Sequence, residues 1–142
     1  MSRFLGAART FTALLLLGAC NAPAPGTPEA VADAFADAYF GHADQEHAKQ
    51  FSALGATKML EDEAAETRAV RNSSYTPSEA NLNVKVVRGQ RSSRDERLRF
   101  EYTVTFQGGV EKRADIELSR LEGVWKVVRV GVLDERGRDR TQ

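Results

Sequence analysis

Cysteine is scarce in this chain of 142 residues, which contains one. A single thiol cannot form an intramolecular disulfide, complete a four-cysteine zinc site or hold an iron–sulfur cluster. The chain also lacks an excess of either charge, because 20 Lys and Arg balance 20 Asp and Glu. Balanced charge argues against a protein built chiefly to hold nucleic acid. The length predicts one domain and leaves no room for a two-domain cofactor enzyme.

The apolar run near the N-terminus is too short to cross a membrane. It extends over residues 11–17, far below the roughly 20 residues that a membrane-spanning helix needs. Arg3 and Arg9 precede the core, and no acidic residue does. A basic start and a short apolar core are typical of a cleaved secretory signal. We therefore expect residues 1–19 to be a signal peptide.

The end of this segment, Leu17-Gly18-Ala19-Cys20, resembles the lipobox of bacterial lipoproteins. In that family the chain is cut before the cysteine, whose thiol and new amine then carry acyl chains. The resemblance implies lipidation of Cys20 and attachment to a membrane of the cell envelope through those chains. Asn21 follows where an Asp usually signals inner-membrane retention, which implies the outer membrane in a Gram-negative cell. An ordinary secretory signal is the alternative.

Residues 20–26 comprise Cys20, the predicted lipidation site, and a six-residue tether rich in Pro and Ala, residues 21–26. Fully stretched, six residues reach only about 20 Å, so we expect the domain, residues 27–133, to lie close to the membrane. The polar residues 134–142 are expected to form a flexible tail. Residues 21–84 carry a net charge of −6 and residues 85–142 one of +4. The basic half could face anionic headgroups or a partner, or be a solvated surface.

Helical periodicity predicts three helices in the first half of the domain. Thr27 and Pro28 are typical of a helix start, and Gly41 is expected to end this helix. Asp44 is expected to cap a short second helix, and a third covers about residues 56–71. On the first helix the spacing places Val31, Phe35, Ala38 and Tyr39 on the apolar face, and Asp33 and Asp37 on the other side.

Alternating apolar and polar residues predict four strands in the second half. The first covers residues 82–87, and the last, residues 124–132, is apolar on both faces in places and is expected to be the best buried. Gly108-Gly109 and Glu122-Gly123 mark tight hairpins. The side chains predicted to face the helices are Leu98, Phe100, Tyr102, Val104, Ala114, Ile116 and Leu118.

Helices followed by a four-stranded antiparallel meander predict an α+β fold with the helices on one face of the sheet. The element order, the opening helix from residue 27 and the closing strand GVWKVVRV resemble the NTF2-like family of cone-shaped domains over residues 27–133. The alternative is a cystatin-like domain, in which one long helix packs against a similar sheet.

The predicted inner face lacks the groups that catalysis needs. Enzymes of the NTF2-like family hold acids and bases on the concave sheet face, but Glu101, Asp115 and Glu117 have the opposite parity. A non-enzymatic protein without a cofactor is therefore expected. Tyr39, Phe100 and Tyr102 are candidates to line a pocket for a small apolar ligand, or are core residues.

Two further clusters are candidate sites. His42, Asp44 and His47 have spacing that could hold zinc, but a helix cap already explains Asp44, so we expect no metal site. Arg88, Arg91 and Arg94 are predicted around an exposed hairpin, where they could contact a partner or lipid phosphates. The alternative is a charged edge that discourages aggregation.

These observations together favour a lipid-anchored envelope protein that binds a partner protein or serves as an assembly module. A carrier of a small apolar ligand is the second hypothesis, and a hydrolase or isomerase is the third.

Overall fold

A computed structural model describes residues 23–68, 76–77, 82–133 and 139–140. Three α-helices precede the sheet: α1 (Pro28–Ala36), α2 (Gln45–Lys49) and α3 (Leu54–Arg68). A π-helical turn, Asp37–Gly41, continues directly from α1. The strands are β1 (Lys85–Arg94), β2 (Arg97–Thr105), β3 (Glu111–Leu121), β4 (Val124–Leu133) and β5 (Asp139–Arg140). The fold is α+β, as predicted.

The strands form an antiparallel meander in the order of the chain. The four long strands match the predicted sheet, and a two-residue strand is added to it. Asp139 and Arg140 pair with Leu133 and Val132 of β4, and the flexible tail over residues 134–142 stays a prediction. Residues 134–138 and 141–142 lie outside the described part of the chain.

Capping side chains begin the first two helices at the predicted positions. The hydroxyl of Thr27 accepts a hydrogen bond from the backbone N–H of Ala30 at 3.3 Å, with Pro28 at the first helical position. The carboxylate of Asp44 accepts one from the N–H of His47 at 2.9 Å. Each cap satisfies an N–H that has no partner within its own helix. The third helix begins at Leu54, and residues 69–71 of its predicted range lie outside the described residues.

The hydrophobic core lies between the helices and one face of the sheet, which we call the inner face. The period-two alternation of β2 and β3 is confirmed, since all seven side chains predicted to face the helices are buried. Phe35 of α1 and Leu60 of α3 are fully buried against them. Glu101, Asp115 and Glu117 lie on the opposite, outer face.

Strand β1 begins later and extends further than the sequence predicts. It covers Lys85–Arg94, so most of the predicted arginine-rich hairpin is strand. The turn itself consists of Asp95 and Glu96, with φ of 50° and 62°. Two successive residues with positive φ are typical of the type I′ turn that joins twisted antiparallel strands.

A β-bulge interrupts the alternation of β4. Glu117 pairs with Arg129, but the next residue, Leu118, pairs with Val127. The extra residue, Val128, shifts the alternation of the strand, which explains its apolar residues at both parities. Strand β4 is not the best-buried strand, because β2 holds four buried side chains along one face. On the side of β4 away from β3, the backbone of Val127 also forms hydrogen bonds with the backbones of Phe51 and Ala53.

Candidate functional site

A second β-bulge brings two arginines onto the inner face. Arg88 pairs with Tyr102 and Arg91 pairs with Phe100, so three steps along β1 match two along β2. Directly paired residues share a face of the sheet, and Phe100 and Tyr102 face the core. Arg88 and Arg91 therefore both point towards the helices, although regular alternation would place them on opposite faces.

Helix α1 supplies one carboxylate to each arginine. Nη1 of Arg88 donates to Oδ2 of Asp33 at 2.6 Å, and Nη1 of Arg91 donates to Oε1 of Glu29 at 2.6 Å. Arg88 also donates to the backbone carbonyl of Glu29 at 3.3 Å. The two acids are four residues apart and so lie on one side of the helix. We call Glu29, Asp33, Arg88 and Arg91 the inner charge cluster.

This cluster corrects the predicted position of Asp33. The spacing predicts Asp33 on the side of α1 away from the core, whereas its carboxylate reaches the inner face of the sheet. The residue lies at the flank of the apolar stripe, where the long side chain of Arg88 and the hydroxyl of Tyr102 both contact it. The alternation of the strands could not predict this carboxylate, because Asp33 belongs to a helix and not to the sheet.

Phe100 lies beneath both guanidinium groups. The Cζ atoms of Arg88 and Arg91 each lie 5.9 Å from the centroid of its ring, within the range of a cation–π interaction. Phe100 is 1% exposed, so the two arginines lie over an aromatic ring that is shielded from water.

The two tyrosines of the predicted pocket each donate a hydrogen bond to a carboxylate. Tyr102 donates to Asp33 at 2.8 Å, and Tyr39 donates to Glu63 of α3 at 2.7 Å. Burial, followed by the hydrogen bond and negative charge of the acid, raises the pKa of both tyrosines well above the ordinary value. Both phenols therefore remain protonated donors at neutral pH.

The structure separates the three predicted pocket residues by their contacts. Phe100 and Tyr102 are neighbours on β2 and are at most 2% exposed, while Tyr39 packs against Phe35 and Phe40. All three belong to the core or pack directly against it. That these three residues line a pocket for a small apolar ligand stays a prediction.

The three arginines predicted to share an exposed hairpin do not share it. Arg88 and Arg91 point inward to α1, because the bulge changes the parity of the strand between them. Arg94 alone lies at the turn, where its side chain is 93% exposed and Nε lies 3.4 Å from Oδ2 of Asp95. The prediction of a common tip is therefore wrong for Arg88 and Arg91.

The histidine cluster has separate local contacts. Asp44 caps α2, the ring of His47 packs on Phe51 with centroids 5.5 Å apart, and Nε2 of His42 lies 3.6 Å from the carboxylate of Asp37. Among the described residues, no group of three or more His, Cys, Asp or Glu side chains is placed to hold a metal ion. Cys20, the predicted lipidation site, lies outside the described residues.

The outer face carries a different set of charge pairs. Arg97 donates to Glu117 at 2.7 Å, and Arg99 donates to Asp115. The two acids are largely covered, with Asp115 only 14% exposed. A small polar depression of about 40 Å³ lies here, lined by Arg99, Asp115, Glu117, Arg129 and Gly131. Sequence parity placed the acids on this face but did not predict the depression, which lies where β4 has Gly131 opposite Asp115.

Comparisons with known proteins add little. No protein-family model and no curated protein matches the chain. Among solved structures, the chain is similar to a de novo designed protein with a curved β-sheet, at 15% identity and a TM-score of 0.45, over 73% of this chain and 96% of the designed one. In the described part of the chain, no helix combines the length and the apolar character needed to span a membrane.

Proposed function

We propose that this chain is a lipid-anchored, non-enzymatic module of the bacterial cell envelope that binds a partner protein or serves in assembly. The lipobox-like segment that ends at Cys20 supports the anchor. Helix α1 begins at Pro28, so seven residues, 21–27, separate the anchored cysteine from the first helix. The domain then lies next to the membrane, on the outer membrane if the cell is Gram-negative.

The packing of the inner face is the observation that carries the non-enzymatic part of the proposal. Phe100 and Tyr102 are at most 2% exposed, and the Tyr102 hydroxyl is hydrogen-bonded to Asp33. Asp33 is itself paired with Arg88, which stabilises its ionised form. Residues that fill a core and neutralise one another favour a structural interior over a substrate pocket.

The outer face is our candidate for the surface that binds the partner protein. It presents arginines and carboxylates of both signs around the depression lined by Arg99, Asp115, Glu117, Arg129 and Gly131. Mixed charge of this kind favours a partner whose surface carries complementary charges, because such pairs set register and specificity. The sheet below it is held by three long strand pairings and so offers a rigid platform.

We also propose that the fold belongs with the NTF2-like domains. Three helices and a π-helical turn precede the meander, whereas a cystatin-like domain has one long helix. The bulges in β1 and β4 support this assignment, because bulges bend a sheet as a cone requires.

Purification of the native lipidated protein, with mass spectrometry of everything that remains bound, tests the proposed function. We expect a stoichiometric protein partner that Arg129→Glu releases. Arg94→Glu is the matched control, since it makes the same charge change at an exposed turn and should retain the partner. Recovery of a stoichiometric small apolar molecule in place of a protein would overturn the assembly proposal and favour the carrier.

The anchor has its own test. Replacement Cys20→Ser removes the thiol that would be acylated, so the variant should lose the acyl mass and leave the membrane fraction. Acyl chains that persist on the Cys20→Ser protein would refute the proposed anchor, whatever the outcome for the partner.

A further inference from the structure

We propose that Arg88 and Arg91 form a binding site for a phosphate group at the mouth of the inner face. This inference goes beyond the proposed function, because the site lies on the opposite side of the sheet from the outer face. The ligand class includes free inorganic phosphate and the phosphate of a lipid headgroup. Two guanidinium groups each lie 5.9 Å from the centroid of the Phe100 ring here, and guanidinium forks match phosphate oxygens in geometry and charge.

One residue of α1, Glu29, accepts hydrogen bonds from both guanidinium groups. Arg88 bonds to the backbone carbonyl of Glu29, and Arg91 bonds to the carboxylate of the same residue. Both lie 5.9 Å from the centroid of Phe100. Two like charges are thus fixed over one buried ring, and the β1 bulge that places them there costs the sheet a regular pair.

The contacts with α1 use only part of the hydrogen-bonding capacity of these arginines. A guanidinium has five N–H groups on three nitrogens, and the hydrogen bonds from Arg88 and Arg91 to the residues of α1 run through Nη1. Arg88 also has a side-chain hydrogen bond to Tyr102, whereas in the described part of the chain no hydrogen bond runs from Nε or Nη2 of Arg91. The side chains are 29% and 52% exposed, so an anion can reach them from solvent.

A phosphate group suits this arrangement better than a carboxylate. The several oxygens of one phosphate can match donors from two guanidinium groups, whereas a carboxylate offers two oxygens. The Glu29 carboxylate is the group that an incoming anion would displace or crowd. Its partner Arg91 is half-exposed, and ion pairs between such groups contribute little to stability, so exchange is inexpensive.

A purely structural clamp between α1 and β1 makes different predictions. If the four charges of the inner charge cluster serve only to fasten the edge strand, neutralising Glu29 weakens the fold and attracts no ligand. If the arginines bind phosphate, the same change removes a competing negative charge, and the affinity for phosphate rises. The variant Glu29→Gln therefore separates the two.

The experiment is a titration of the full chain, in neutral detergent at constant ionic strength, with inorganic phosphate followed by calorimetry. We expect saturable binding that Arg91→Gln weakens at least 10-fold and Glu29→Gln strengthens several-fold. Arg94→Gln, the same substitution three residues along β1, should change the affinity less than 2-fold. Thermal unfolding of each variant establishes that it is folded.

The proposal is overturned if Arg91→Gln binds phosphate as the wild type does, or if Arg94→Gln reproduces its loss. Should Arg91→Gln fail to fold, Glu29→Gln decides, because an unchanged or weaker affinity there contradicts the site. Vesicles of phosphatidylcholine with and without phosphatidylglycerol identify the source of the phosphate. A preference for the anionic vesicles that depends on Arg91 assigns a lipid headgroup, and binding of inorganic phosphate without that preference assigns a free ligand.

Discussion

The inner and outer faces of the sheet both carry arginine–carboxylate pairs, but the pairs join different parts of the chain. On the outer face, Arg97 and Glu117 come from neighbouring strands and are 20 residues apart in sequence. On the inner face, Arg88 and Asp33 come from a strand and a helix that are 55 residues apart. The outer pairs therefore fasten the sheet to itself, whereas the inner pairs fasten the edge strand to α1.

The inner pairs explain part of the uneven distribution of charge along the chain. The helical half is acidic and the strand half is basic, a split that by itself is also typical of a solvated surface. Asp33 with Arg88, and Glu29 with Arg91, join the two halves across the open side of the core. Part of the split therefore joins the helices to the sheet.

The largest effect should come from the buried ring that the inner arginines cover. Phe100→Ala removes a side chain that is 1% exposed and should lower the free energy of unfolding by about 3–5 kcal/mol, because the core cannot fully close the cavity. Chemical denaturation measures the loss. Phe106→Ala is the matched control, since that ring is 36% exposed at the end of β2, and its loss should be about 1 kcal/mol or less. Equal losses would contradict the described core.

A smaller effect should distinguish the charges of the two faces. Asp33→Ala leaves the buried hydroxyl of Tyr102 without its acceptor and removes the carboxylate that pairs with Arg88, which should lower the free energy of unfolding by about 2 kcal/mol. Glu117→Ala on the outer face should cost about 1 kcal/mol or less, because Arg97 is half-exposed and water can replace the pair. A larger loss for Glu117→Ala, measured by denaturant titration, would reverse the comparison.

The parts of the fold that the sequence predicts depend on near neighbours. The alternation of β2 and β3, and the caps Thr27 and Asp44, follow from residues a few positions apart, so each could be predicted without the rest of the chain. The same alternation predicted the acids of the outer face. The arginine partners of those acids lie on the adjacent strand of the same hairpin.

The inner charge cluster could not be predicted in this way, because a bulge changes the parity of the edge strand β1 between Arg88 and Arg91. Gly89 is the one local sign in β1, since a lone glycine in a strand pattern marks a bulge or a close backbone approach. A Cβ at this position would lie 3.4 Å from the carbonyl oxygen of Glu101. Asp33 gave no sign at all, since its partners lie more than 50 residues away.

Alkaline pH should weaken the inner face through its tyrosines. Burial and the charge of Asp33 raise the pKa of Tyr102 in the folded protein, so above pH about 10 the unfolded chain loses a proton that the folded chain keeps. This contribution is fully present below pH about 10 and is lost as the pH rises, by about 1 kcal/mol at pH 11. Between pH 9 and pH 11, the free energy of unfolding of Tyr102→Phe should therefore fall by about 1 kcal/mol less than that of the wild type. Denaturant titrations at each pH measure this difference. Parallel curves for the variant and the wild type would contradict the raised pKa.

The smallest expected effect is the coupling energy of a single outer pair. A double-mutant cycle on Arg97 and Glu117 should give about 0.5 kcal/mol, because both groups contact water and the attraction between them is screened. High salt should reduce this value further, since the Debye length is about 3 Å at 1 M. The same cycle on Arg88 and Asp33 should give a larger coupling that salt changes less, because these side chains are half-buried and share Tyr102 as a third partner. If the two cycles gave equal couplings with equal salt dependence, the inner pairs would be ordinary surface pairs, and the layers of the fold would be held by apolar packing alone.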